Sequence, residues 1–255
     1  MGKILNFIFV NSFLVSLSGM LYLLGTFYEN FIWLYFIHLL KQLILLLSTA
    51  YSQINKLYIS PRNANYNVKS ILYLLSSTGI EALTFYFIQN TFNFRESSIL
   101  YDILLFIPKS FAFEFAYDLM HYWMHRLMHT NGFLYQYLHK IHHHKNTPTI
   151  LDTYYQNPLD LILSNAIPFC IVIKLIGNIS MFELMLIGVY KSSVEIAGHT
   201  GKQIYPTSSF PQCPWLVKYF NIELYTEDHD LHHANPNCNY SKRFSLWDKI
   251  FGTYK

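Results

Sequence analysis

DLMHYWMHRLMHTNGFLYQYLHKIHHHK, residues 118–145, decides how the rest of this 255-residue chain is read. It holds seven of the twelve histidines: His121, His125, His129, His139, His142, His143 and His144. A second run, EDHDLHH at 227–233, adds His229, His232 and His233. Taken as a helix, residues 114–129 carry Glu114, Asp118, His121, His125 and His129 at spacings of 4, 3, 4 and 4. At 100° per residue these fall within about 80° of one another, on one face. A polar stripe on an otherwise apolar helix is costly in a membrane and marks a functional interior.

His125 and His129 form an HxxxH pair that can ligate one metal from one helix face. LHKIHH repeats the logic with His139, His142 and His143, and HDLHH with His229, His232 and His233. In each, the i, i+3 and i+4 positions are expected to converge on one helix face. Together they give eight imidazoles, more than one metal can use, so two metals are implied. All-nitrogen sites suit zinc, copper, iron or nickel rather than magnesium or calcium. A catalytic zinc needs only about three protein ligands and an open position, so eight fits a two-metal redox site better. His199, in EIAGHTG, is a ninth candidate ligand, with Glu195 four residues before it. Asp118 and Glu195 are the carboxylate candidates, each placed to fix the tautomer and orientation of a ligand imidazole, and Glu114, further back on the face of Asp118, suits the same role. His121 points with His125 one turn earlier, as a ligand or an outer neighbour. His144, about 140° round from His139, falls off the site, and the isolated His38 reads as packing.

The chain around these motifs is apolar. Hydrophobic residues make up 52% and charged residues 13%, about half the usual charged share. The net charge of +3 points to no nucleic-acid partner. Cys170, Cys213 and Cys238 form neither a CxxC motif nor a disulfide framework. Residues 4–26 carry no charge and are long enough to span a bilayer, which takes about 20 residues. Residues 31–49 follow as a second span, 71–89 as a third, and 99–117 as a poorer fourth holding Asp102, Lys109 and Glu114. Lys3, Lys56, Arg62 and Lys69 are basic, against Glu29 alone in the loop 27–30. The positive-inside tendency then puts the N-terminus and the 51–70 loop in the cytosol. Residues 159–176 and 179–197 form a later apolar pair that packs on the catalytic part. The expected fold is all-α: an integral membrane helical bundle of about four spanning helices (1–113) with a cytosolic-side, histidine-rich catalytic region (114–255).

The set DxxxYWxHRxxH, LHxxHH and HxxHH, with the closing NYSKRFSLWDKIFGTY, resembles the sterol desaturase/fatty acid hydroxylase superfamily over residues 114–255. The resemblance implies a membrane oxygenase of lipid biosynthesis with two iron ions and O2 as co-substrate. It would hydroxylate or desaturate a lipid, a sterol or a fatty acyl or sphingolipid chain. The family's histidine boxes fall on His125 and His129, on His139, His142 and His143, and on His229, His232 and His233; its further histidine is matched by His199. One departure is Asn157-Pro158, where many members have His-Pro. With no HPGG haem-binding segment in the chain, electrons are expected from a separate membrane protein, cytochrome b-type or a reductase. The expected location is the endoplasmic reticulum membrane, with the active site facing the cytosol. The rival class is a non-catalytic membrane metal carrier or transporter, whose sites sit near the midplane in broken, repeated helices; here the ligands follow the spans.

Overall fold

A computed structural model describes residues 2–26, 30–62, 66–203 and 209–255, so Glu29 lies outside the described residues. Among these the regular structure is helical, with two isolated β-bridges and no strand. α1 (Lys3–Thr26) and α2 (Phe31–Ser52) form a hairpin, and α3 (Val68–Thr91) runs beside α2. Each restart has a local cause. The Asn30 side chain accepts the Trp33 N–H at 2.7 Å and Asn67 accepts that of Ser70 at 3.1 Å, satisfying donors that a helix start leaves unpaired.

α4 (Ile99–Leu104) breaks at Leu105 and α5 (Phe106–Thr130) follows. The chain then tightens and loosens by turns. α6 (Gly132–Leu134) leads into a π-helical turn at Tyr135–His139, and 3₁₀ turns follow at His142–His144 and Ile150–Tyr154. α7 (Pro158–Leu161), a second π turn (Ile162–Ala166) and α8 (Ile167–Ile176) form one rod, closed by Gly177 at φ +54°. α9 (Met181–Gly198) opens with a capping box between Ser180 and Glu183 and is buried on nearly every side. α10 (Pro214–Tyr219), α11 (Thr226–Ala234) and α12 (Leu246–Ile250) complete the chain. α9 is the axis: α1 and α2 lean on it, and α5 packs on α8.

Among the described residues four helical stretches are long and apolar enough to cross a membrane: Lys3–Gly25, Phe31–Ser52, Val68–Thr91 and Pro158–Ile176. The expected fourth span, 99–117, is not one of them; by length and composition the fourth is Pro158–Ile176. The charges that made 99–117 a poor span are each paired. Asp102 pairs with Arg95, Lys109 with Glu183 at 2.8 Å, and Glu114 with Arg243 at 3.0 Å. α5 thus runs inside the bundle beside the rod. Ile8, Leu47, Leu72, Phe87 and Ile171 are exposed on the helices that can cross, which suits a lipid-facing surface.

The two ends of the bundle differ. At one, Arg95 ties the 91–99 link to Glu183 at 2.7 Å, and Tyr22 meets Phe182. At the other, Arg62 of the 51–70 loop pairs with Asp230 of α11, and the Tyr73 and Tyr155 rings lie 4.4 Å apart. The histidine runs gather at this second end. Arg62 also packs against Gly201, whose φ of +62° and missing Cβ leave room for the guanidinium.

Candidate metal centre

Nine of the histidines form two groups, buried except for the half-buried His129 and His143. His125, His129, His139, His143 and His232 point one ring nitrogen each to within 4.8 Å of one another, and so do His142, His199, His229 and His233. They are the eight histidines of the spaced runs together with His199, the ninth candidate. The rings of His143 and His233 are 4.7 Å apart and those of His142 and His233 4.9 Å, so the two groups adjoin.

The structure differs from the simple reading of HxxHH as one converging face. His139 and His143 join the first group while His142 joins the second; His229 and His233 join the second while His232 joins the first. The reason is angular. On a helix, i and i+4 lie about 40° apart, whereas i+3 lies about 60° to the other side. Each run therefore sends its i, i+4 pair to one group and its i+3 member to the other. The tight 3₁₀ turn at His142–His144 serves the same divergence.

The tautomers are fixed by what each ring donates to. His125 Nδ1 donates to the Tyr240 carbonyl at 2.7 Å, His232 Nδ1 to the Cys238 carbonyl at 2.7 Å, and His199 Nδ1 to the Glu195 carbonyl at 2.9 Å. His139 Nδ1 donates to the Asp160 carboxylate at 2.7 Å. A neutral imidazole that donates from Nδ1 has a bare lone pair on Nε2. Yet His125 Nε2 and His139 Nε2 stand 3.1 Å apart. Two lone pairs cannot hydrogen-bond to each other; they can share a cation. Two nitrogens about 2.1 Å from one ion at right angles would be about 3 Å apart. His232 Nε2 and both nitrogens of His233 are buried with no hydrogen-bond partner, so further donors await the same kind of occupant. The residues present fit two metal ions.

Electrostatics agree. Burial drives the His199 imidazole toward the neutral form, to about 4, where Lys242 adds to the effect, and that of His232 to about 3. Neutral imidazole is the form that ligates. Burial also lowers Lys242, to about 8.

The carboxylate candidates stand differently from expectation. Asp118 accepts the backbone N–H groups of Lys242, Arg243 and Phe244 at 2.8, 2.9 and 3.0 Å. It anchors the 240s segment against α5 and touches no ring. Glu195 reaches His199 through its backbone carbonyl, while its carboxylate holds Lys191 at 2.7 Å and Arg243 at 2.9 Å. The spacing put both on the ligand side of their helices, but the basic 240s segment captures their charge. Asp160 is the residue the sequence reading passed over. Its signal was a lone carboxylate in an apolar run able to span a bilayer.

His121 donates from Nδ1 to the Ser164 carbonyl at 3.1 Å and lies beside His125, outside both groups. His144 stacks on Tyr155 with ring centroids 3.9 Å apart. Asn157 caps α7, accepting the Leu159 N–H at 2.8 Å. His38 is buried against Phe85 in the membrane-crossing part, away from both groups.

A family model described as fatty acid hydroxylase matches residues 110–253. The chain is 33% identical to fatty acid hydroxylase vlmA of a Lecanicillium species over 143 residues, 53% of this chain and 39% of that protein. Methylsterol monooxygenase 1 of Rattus norvegicus is 29% identical over 136 residues, 53% of this chain and 43% of that protein. Sphinganine C4-monooxygenase 2 of Arabidopsis thaliana is 27% identical over 157 residues, 60% of this chain and 57% of that protein. The chain thus spans about half the length of the curated relatives it matches. No solved structure gives a significant match.

Proposed function

This chain belongs to the fatty acid hydroxylase family, and on that premise we propose that it is a membrane oxygenase acting on an unactivated C–H bond of a lipid. The observation that carries the proposal is the pair of adjoining groups of five and four histidines, buried except for the half-buried His129 and His143, in which His125 and His139 turn bare Nε2 atoms toward each other while their Nδ1 protons are held elsewhere.

His125, His129, His139, His143 and His232 would hold one iron, and His142, His199, His229 and His233 the other. Bound iron would supply the reduction of O2 and the oxidising power. The chain's own residues do the rest. Asp160 and the carbonyls of Glu195, Cys238 and Tyr240 hold the ligand rings in one tautomer. Burial excludes water. In hydroxylation, one atom of O2 enters the C–H bond as a hydroxyl and the other leaves as water. Two electrons and two protons complete the balance. Desaturation of neighbouring C–H bonds uses the same inputs and gives an alkene and two waters.

The relatives named for methylsterol, sphinganine and fatty acid support a lipid substrate. The electrons would come from a separate membrane protein, cytochrome b-type or a reductase. The open groove lined by Lys69, Lys140 and His143 offers an approach to the first group. That end of the bundle also carries Lys56 and Arg62, so the positive-inside tendency supports a cytosolic site, as in an endoplasmic reticulum protein. A carrier reading is not favoured, since both groups gather at one end of the bundle rather than at its midplane.

The test is metal analysis of protein purified from cells supplied with iron. Two irons per chain, oxidised by O2 and reducible again, are expected. One tight zinc and no iron defeats the reading.

A further inference from the structure

The second histidine group is assembled from three separate segments. His142 comes from the 3₁₀ turn at His142–His144, His199 from the residue that ends α9, and His229 and His233 from α11. His199 Nε2 and His229 Nε2 stand 3.1 Å apart across 30 residues of chain. A working ligand set is held to within about 0.5 Å by the groups behind it, so three segments need something that keeps them in register.

Arg62 touches all three. Its Nη1 donates to the Pro148 carbonyl and its Nη2 to Asp230 Oδ2, and its guanidinium occupies the space that a Cβ at Gly201 would take. Pro148 is six residues after His142, Gly201 two after His199, and Asp230 one after His229. The side chain is 1% exposed. The links from these contacts to the rings are stiff. Asp152 accepts from Lys145 Nζ at 3.0 Å and from Thr149 Oγ1 at 2.6 Å, which braces the turn between His142 and Pro148. Thr200 Oγ1 donates to the Ala197 carbonyl at 2.9 Å, which braces the step from His199 to Gly201. Asp230 lies on α11 itself.

The 51–70 loop supplies Arg62 and carries no histidine. It is laid along the chain that follows His199. The Ile59 N–H donates to the Gly201 carbonyl at 2.9 Å, the Gln203 N–H to the Leu57 carbonyl at 3.1 Å, and Lys202 Nζ to the Gln53 carbonyl at 2.7 Å. In the first group His125, His129 and His139 come from α5 and the π turn, and no hydrogen bond of Arg62 among the described residues reaches either.

We propose that Arg62 is a positioning residue for the second metal: one guanidinium, lent by the loop between α2 and α3, holds in register the three segments that carry His142, His199, His229 and His233. The proposal rests on the two-metal reading. Arginine suits the place, because a planar fork of five N–H groups reaches acceptors on two sides at once. An ion pair that only pinned the loop would change folding stability and leave the metal affinities of folded protein alone.

The test is a mutant cycle on metal affinity, read on the whole chain stripped of metal, in detergent micelles. Cobalt(II), which stands next to iron(II) in affinity for nitrogen sites, is titrated against a competing chelator, and bound cobalt per chain is counted. His125→Ala/His129→Ala cripples the first group, so the tight metal left is that of the second; His199→Ala/His229→Ala does the reverse. In the first background Arg62→Met should weaken cobalt about 10- to 100-fold, the usual cost of losing a group that orients ligands. In the second it should change affinity by no more than about two-fold, the scatter between uncoupled sites. Arg62→Met leaves Asp230 buried without its partner, so Arg62→Met/Asp230→Asn is measured beside it. Removing both charges spares folding and should leave the same selective loss. Lys202→Ala, which frees the loop from one tie and keeps Arg62, should hold both metals as the parent does. An Arg62 effect that is equal in the two backgrounds, or absent from the first, overturns the proposal, while two cobalt ions in the parent leave the metal reading standing. Fewer than two in the parent overturns both.

Discussion

Loss of the Asp160 carboxylate should loosen the first metal without unfolding the chain. Its Oδ2 accepts the His139 Nδ1 proton at 2.7 Å, and its Oδ1 accepts from Ser164 Oγ at 3.2 Å, with the side chain buried. While that bond holds, His139 keeps its proton on Nδ1 and turns a bare Nε2 toward the group. Asp160→Ala removes a hydrogen bond to a charged acceptor, about 1.5–3 kcal/mol, or roughly 10- to 150-fold in affinity. Loss of a ligand's orienting partner typically costs about 10- to 100-fold in metal affinity. The two routes agree, so a 10- to 100-fold loss is expected for Asp160→Ala. Asp160→Asn, which keeps an acceptor oxygen but no charge, should fall near the lower end. The assay is iron retained by purified protein against a graded chelator, with size-exclusion profiles to match folding. The reasoning is refuted if Asp160→Ala holds iron as tightly as the parent. It is equally refuted if Asp118→Asn, whose carboxylate meets backbone N–H groups and no ring, loosens iron as much.

Single changes of His125, His129, His139, His142, His143, His199, His229, His232 or His233 to Ala should each abolish turnover at matched expression, while His144→Ala keeps most of it; normal turnover of both His139→Ala and His232→Ala would contradict the site. Acid should destabilise the metal-free chain. Burial holds His199 at about 4 and His232 at about 3 against an ordinary value of 6.5. The unfolded chain therefore takes up protons first, and the stability present above about 6.5 is lost as pH falls toward the folded values. The melting temperature should fall between pH 7.5 and pH 5, and an unchanged or higher value at pH 5 contradicts the sign. For topology, cysteine introduced at the exposed Asn55 should react with an impermeant thiol reagent once the plasma membrane alone is permeabilised, and cysteine at the exposed Asn178 only when the internal membranes are opened as well; matching behaviour of the two would overturn the orientation.

What the sequence disclosed and what it hid follow from how far each interaction reaches. The first three spans were legible because an apolar run of that length with at most one charge has few other uses, and eight of the nine histidines because helical spacing is a local property. The split of each HxxHH run between two groups was contained in the same angles, since i+3 and i+4 fall on opposite sides of i. The fourth span was placed on 99–117, which carries three charges, rather than on Pro158–Ile176, which is long and apolar enough to cross. Hydropathy averages along the chain, and it cannot see that those charges, Asp102, Lys109 and Glu114, are matched inside the bundle by Arg95, Glu183 and Arg243. Of these, only Arg95 lies close in sequence. Asp118 and Glu195 were placed on the correct faces, but a face does not select a partner: the 240s segment, more than a hundred residues after Asp118, supplies the N–H groups and the guanidinium that take them. Asp160 was hidden most deeply. It meets His139 across 21 residues, with a π turn ending at His139 itself. A π turn advances the chain by a different angle from an α turn, so no α-helical wheel drawn on the sequence aims that ring at that carboxylate. The partners that fix a ligand's tautomer are thus the least legible part of such a centre, because they are set by tertiary contacts while the ligands repeat at helical intervals.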